Sequence, residues 1–398
     1  MEIPAAELDR YAELVVRTGA NVGRGQLVFV GGLLGHAPFA RAIARAAYRA
    51  GARYVDVRYV DRHIERGLIE FGPEETLGWS PPWLMERMRA TDGQATIGIT
   101  GDPEPELLGD LDPHRVGRSR MKDLTEESLR LLNAQATNWT LAAFPNEGWA
   151  SAVFEEPDVG RLWEAVAFAV RLDENDPVAA WDAHIDRLER RAAALNALDL
   201  DAVRFAGDGT DLTVGLLPNS HFRAARFTTA DGRSHIPNMP TEEVFTAPDA
   251  RRTEGTVRST RPLALRGQIV RGLELRFEAG RCVDVRAETG ADVVREELAS
   301  DEGAAYLGEL ALVDGSSRVG QTGLTFFDTL FDENATCHIA YGAGLTAGLD
   351  GDPPAEGFST SSIHTDFMVG GPEVAVDGLT RDGRTVPLLR DDVWQLPE

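Results

Sequence analysis

The sequence predicts two abutting domains. An N-terminal parallel-sheet α/β domain spans residues 1–199, and a β-rich α+β domain over residues 200–398 carries the candidate functional residues. Three observations predict this. Apolar strands alternate with alanine-rich helical stretches through the first half, the rhythm of a parallel sheet with covering helices. Beyond Asp201 the texture changes to short strands with turn signals at close spacing, Asp208-Gly209, Asp231-Gly232 and Ala279-Gly280. At 398 residues the chain has room for about two to three domains, and no internal repeat, low-complexity tract or long Pro/Gly/Ser linker parts them.

Taken in order, residues 5–19 form an amphipathic helix, with Leu8, Tyr11, Leu14 and Val15 at helical spacing. Residues 26–30 are a short apolar strand ending in Gly31-Gly32-Leu33-Leu34-Gly35. That cluster lacks the G-x-G-x-x-G spacing of a nucleotide loop and reads as a tight strand-to-helix turn. Residues 38–51 return as helix, and residues 54–60, 95–100 and 139–144 as strands. His36, His63 and His114 are isolated from any acid-rich motif and read as surface or turn residues. The stretch Phe144-Pro145-Asn146-Glu147-Gly148-Trp149 is either a site rim or a turn packed by Trp149. Residues 158–198 are helical and serve as the connector. Residues 212–216 and 269–277 then read as strands of the second domain.

Composition excludes several classes. Hydrophobic content of 43% and charged content of 26% suit a globular protein with sizeable cores. A net charge of −24 disfavours nucleic acid and anionic membranes; it serves either to draw cations or simply to keep the protein soluble. Lys122 is the sole lysine, a skew to which no function is attached. Two cysteines, Cys282 and Cys337, make no disulfide framework. Cys337 adjoins His338, but strand neighbours point to opposite faces, so a buried structural thiol is expected. The N-terminus lacks a basic and apolar leader, and no run is long enough to cross a bilayer; a reducing cytoplasm is the simplest setting.

The chemistry gathers between Asn238 and Asp366. Acids and imidazoles recur there at the ends of short apolar runs: Pro240-Thr241-Glu242-Glu243-Val244-Phe245, Gly308-Glu309-Leu310, Phe331-Asp332-Glu333-Asn334-Ala335-Thr336-Cys337-His338, and Ile363-His364-Thr365-Asp366. Carboxylate mixed with imidazole, without a thiolate pattern, suits Zn, Co, Mn or Fe. His364 and Asp366 stand two apart and share one face of a strand. A metal site, with two metals, is the reading. Taken singly, each residue has a plainer alternative: Glu309 as a salt-bridged strand residue, His338 as a core histidine. Asp332, Glu333 and Asn334 read as turn residues orienting His338.

Those blocks, with Tyr11-Ala12-Glu13-Leu14-Val15-Val16-Arg17-Thr18-Gly19 near the start, resemble the thermophilic-aminopeptidase family of metallo-exopeptidases, M29, across essentially the whole chain. The resemblance implies an aminopeptidase acting on peptides with a free N-terminus. It also implies a homodimer, and two divalent ions (Zn, Co or Mn) held by Glu243, Glu309, His338, His364 and Asp366. Lying between the ligand pairs in sequence, Glu309 is the expected bridge, with Glu243 and His338 serving one ion and His364 and Asp366 the other. Glu242, beside a ligand, is the candidate general base. One position departs: the family pattern carries a tyrosine seven residues past the first histidine, where this chain has Leu345, which neither ligates nor donates a hydrogen bond. Tyr341 replaces it only if the loop is rerouted. The alternatives are a ferrous ring-cleaving dioxygenase held by His338, His364 and Asp366, or a metal-bound, weakly active homologue.

Overall fold

The computed structural model describes residues 3–224 and 226–397. It divides into two compact units, the first holding Met1–Leu111, Arg118–His184 and Ala225–Thr241, the second Asp112–Gly117, Ile185–Ala224 and Glu242–Glu398. None of the described helices is long and apolar enough to cross a membrane.

The first unit is built on a parallel sheet of β1 (Leu27–Leu33), β2 (Tyr54–Val60), β3 (Ala95–Thr100) and β4 (Asn138–Ala143), with the short Asn238–Met239 strand beside β4. The Ala37–Ala50 helix buries Phe39, Ile43, Ala46 and Ala47, the stripe its alanine-rich pattern announces. Tyr11 stacks on Phe39 and Phe39 on Phe144, so the first helix, the second helix and the end of β4 share one aromatic core. The helical stretch predicted over residues 158–198 holds two helices. Val159–Ala169 ends before Arg171, whose φ of 62° no helix accommodates, and Pro177 opens Pro177–Asn196.

The isolated histidines divide. His63 and His114 are exposed, as expected. His36 is not a surface residue: it is 1% exposed. Its Nε2 donates to the Gly101 carbonyl at 2.9 Å, and its Nδ1 accepts from the Leu33 amide at 3.1 Å. Both ring nitrogens are satisfied in the neutral form, and burial lowers the pKa to match. The stretch around Asn146 is a packed turn. Asn146 Oδ1 caps the next helix through the Trp149 amide, and Trp149 is fully buried.

The second unit contains an eight-stranded antiparallel sheet, in the order Arg281–Arg286, Glu274–Glu278, Pro248–Arg258, Thr210–Leu216, Leu200–Gly207, Ala375–Thr380, Thr385–Arg390 and Val393–Trp394. Asp208-Gly209 and Ala279-Gly280 close two of its hairpins, as their turn chemistry predicts. Residues 269–277 form two strands instead of one: Gln268–Val270 pairs with Leu263–Leu265, and the large sheet resumes only at Glu274. A second antiparallel sheet of this unit carries the candidate ligands. Its order is β8 (His364–Met368), β7 (His338–Gly342), β6 (Leu307–Leu312), β5 (Val244–Thr246) and the Arg223–Ala224 strand.

Candidate metal centre

The register of this sheet decides which side chains meet. Across β7 and β8, Ala340 opposes Asp366, Tyr341 opposes Thr365 and Gly342 opposes His364. Opposed residues of an antiparallel pair share a face, and alternate residues along a strand share it too. His338, Ala340, His364 and Asp366 therefore lie on one face, with Tyr341 and Thr365 on the other. β6 meets β7 with Leu307 opposite Tyr341 and then, after a one-residue shift, Glu309 opposite Ala340. Had the register of Leu307 and Tyr341 continued unbroken, Gly308 would oppose Ala340 and Glu309 would oppose Ile339 on the wrong face. The bulge turns it over to join the histidines. Only glycine fits there, since a Cβ on Gly308 would lie 2.2 Å from the Ala343 carbonyl oxygen. Gly342, at φ 103°, ends β7 the same way: a Cβ there would lie 2.2 Å from the Ile363 carbonyl oxygen.

Two triads result. Glu243, Glu309 and His338 bring one ligand atom each within 4.8 Å of one another, and so do Glu309, His364 and Asp366. Glu309 is common to both. His338 Nε2 lies 2.9 Å from Glu243 and 3.9 Å from Glu309. His364 Nε2 lies 3.2 Å from Glu309 and 3.5 Å from Asp366. The structure thus brings together all five residues of the expected ligand set. The first triad is the deeper. His338 has 1% of its side chain exposed, against 19% for His364 and 14% for Asp366.

The donor chemistry fits a cation at each triad. His338 Nδ1 donates to the Glu333 carbonyl at 2.7 Å, and His364 Nδ1 to the Ala343 carbonyl at 2.8 Å. A carbonyl only accepts, so Nδ1 carries the proton in each ring, and Nε2 is the atom presented to the carboxylates. Glu243 Oε2 is buried close to His338 Nε2 without the directed geometry of a hydrogen bond.

The electrostatics agree. Burial pushes the Glu309 pKa up, and the Asp366 and Glu243 charges push it further, against His364. Glu333 is driven well above the carboxylate range by burial and then by Asp366. Burial would lower His338, yet Glu243, Asp366 and Glu333 carry it up to about 10. His364 is likewise raised well above its usual value by Asp366 and Glu309, against burial. Asp366 is lowered, burial being outweighed by the two imidazoles. Glu309 and Glu333 are pushed toward their protonated forms and both imidazoles toward theirs, where a divalent ion would neutralise the same carboxylate charge.

Other residues stand differently. Glu242 is 2% exposed and lies outside both triads, its amide donating to Asn334 Oδ1 at 2.7 Å. Asp332 shapes the turn by accepting from the Phe326 amide at 2.8 Å. Glu333 does more than orient His338 through its carbonyl, because its buried carboxylate sits in the field of the whole cluster; a lone acid in a turn gives no sequence signal of that. Tyr341 does not replace the family tyrosine. It lies on the far face, where its hydroxyl donates to Glu297 at 3.0 Å. Leu345 is half-buried at the start of the one-turn helix Thr346–Gly348. Cys337 is buried, bonded to the Val313 carbonyl, with its thiol pushed up to about 12 by burial: a structural residue.

Comparison with known proteins points one way. The family model for thermophilic metalloproteases (M29) matches residues 5–394. Aminopeptidase T of Thermus thermophilus is 44% identical over 400 residues, covering 97% of this chain and 98% of that protein. Aminopeptidase 2 of Geobacillus stearothermophilus is 36% identical over 404 residues, covering 98% and 97%. The solved structure of wild-type AmpT from Thermus thermophilus superposes with a TM-score of 0.87 at 43% identity, covering 98% of this chain and 99% of that one. Nothing in these matches supports a dioxygenase, and a single iron on two histidines and one carboxylate gives Glu243 no task against His338. Fold, ligand chemistry and similarity over nearly the full length agree, and the chain belongs to the thermophilic metalloprotease family M29.

Proposed function

We propose that this protein is a two-metal aminopeptidase that releases N-terminal residues from unblocked peptides. The observation that carries the reading is the pair of triads sharing Glu309. Glu243, Glu309 and His338 would hold one ion, and Glu309, His364 and Asp366 the other, with Zn, Co or Mn suited to this oxygen and nitrogen set. Such ions, when bound, supply an activated water and polarise the scissile carbonyl. The chain's own residues do the rest. The two Nδ1 hydrogen bonds fix the imidazoles with Nε2 facing the carboxylates. Glu242, buried next to Glu243, is the proposed general base. Glu333 is the second candidate, since its carboxylate lies in the field of four site residues.

The test is hydrolysis of an aminoacyl anilide, and of the same substrate N-acetylated, before and after chelation. Turnover of the free amine only, lost on chelation and restored by Zn, Co or Mn, is expected. Turnover that survives verified metal removal would falsify the reading. In the same assay Glu242→Gln should keep both metals and lose about 10²–10⁴-fold in kcat. If Glu333→Gln shows that pattern instead, the base is Glu333.

The family resemblance also supports a homodimer. Trp79 and Trp83 of the first unit pack edge to face, 50% and 62% exposed, and such apolar surface suits an interface. Sedimentation equilibrium should return twice the mass of one chain, and a single-chain mass at moderate salt contradicts the dimer.

A further inference from the structure

Behind the metal sheet stands a buried acid that the mechanism does not use. Glu297, 3% exposed, lies in the Ala291–Leu298 helix. Its Oε2 accepts from the Tyr341 hydroxyl at 3.0 Å and from the Thr365 hydroxyl at 2.9 Å. Tyr341 and Thr365 are directly opposed across β7 and β8, so one carboxylate oxygen ties the two strands together on the face away from the ligands. Thr365 is also the residue between His364 and Asp366.

The location matters because β8 is an edge strand, paired through its ladder, among the described residues, to β7 alone. An edge strand has a ladder on only one side and is the freest to slip or fray. Yet it supplies two of the three groups of the outer triad, at spacings that tolerate little displacement. The same segment grips the approach to β8. Asp301, just past the helix, accepts from the Ser362 amide at 2.8 Å and from the Ser361 and Ser362 hydroxyls at 2.8 and 2.6 Å. The inner triad has no residue on β8.

We infer that Glu297 is a positioning residue for the outer metal position: through Tyr341 and Thr365 it fixes β8 from behind and so sets the reach of His364 and Asp366. The inference rests on the two-metal reading above. It predicts a selective effect, in which weakening the clamp loosens one metal equivalent and spares the one held by Glu243, Glu309 and His338. A carboxylate that merely satisfied the core would affect both equivalents together, in step with stability.

The experiment is metal titration followed by calorimetry and by metal analysis after gel filtration, on the wild-type protein and on Thr365→Val, Tyr341→Phe, Glu297→Gln and Glu297→Leu. Thr365→Val keeps the shape of the side chain and removes one donor. It should leave the far-ultraviolet dichroism and one tight equivalent unchanged, while the second weakens by about 10–100-fold. Glu297→Gln retains an acceptor oxygen and should rescue most of the loss seen in Glu297→Leu. Two equivalents of wild-type affinity in Thr365→Val and Tyr341→Phe overturn the inference, as does equal weakening of both that tracks the thermal midpoint. A wild-type protein that binds no metal removes the two-metal reading itself, and the positioning role with it. That result is distinct from two normal equivalents in the variants.

Discussion

Glu309→Gln is expected to empty both metal positions at once, whereas substitution of any other ligand leaves one triad intact. Glu309 is the one residue common to the two triads, and a neutral amide is a poorer ligand than a carboxylate. The expected loss in kcat/KM is about 10³-fold or more, equivalent to about 4 kcal/mol of transition-state stabilisation. Metal analysis should return less than one equivalent at concentrations that saturate the wild type. Stability should move the other way in chelator. Burial and the neighbouring Asp366 and Glu243 make ionised Glu309 costly, so the amide relieves repulsion and the metal-free variant should melt no lower than the metal-free wild type. With metal present the order reverses, because only the wild type gains from binding. One full equivalent retained by Glu309→Gln, with normal affinity, contradicts the shared-ligand assignment.

Gly308→Ala should reproduce most of that loss although it removes no ligand. The added Cβ would sit 2.2 Å from the Ala343 carbonyl oxygen and 2.4 Å from its carbon. Both are backbone atoms, so β6 itself must move. Moving the bulge turns Glu309 away from the face of His338, His364 and Asp366. Both metal equivalents should weaken and activity should fall by about 10²-fold or more, since a misplacement of about 1 Å costs that much. Stability should fall by about 1–3 kcal/mol, the range for overpacking. Gly35→Ala is the control, because a Cβ there meets open space. Full metal content and rate in Gly308→Ala would show that the bulge does not aim Glu309.

What the sequence determined by itself was local. The strands at residues 54–60 and 95–100 and the hairpins at Asp208-Gly209 and Ala279-Gly280 follow from apolar periodicity and turn chemistry, which are written within a few residues. The types of residue at the site were legible for the same reason, since each ligand stands in a short block of its own. What tertiary structure decided was register and shared burial. Glu309 opposes Ala340 on the ligand face through a one-residue register shift at Gly308, and a bulge is defined by the strand across from it. Tyr341, three residues from His338, falls on the opposite face, bonded to Glu297. Glu296 and Glu297 are neighbours in one charged helical run. Glu296 meets His114, whose side chain is 75% exposed, while Glu297 is buried against β7 and β8. His36, expected to be a surface or turn residue, sits in a one-turn helix and is buried, its ring proton received by a distant carbonyl, Gly101. In each case the deciding partner is far away along the chain. A side chain's chemistry is fixed by its own residue, but the free energy of burying it depends on what the fold brings against it.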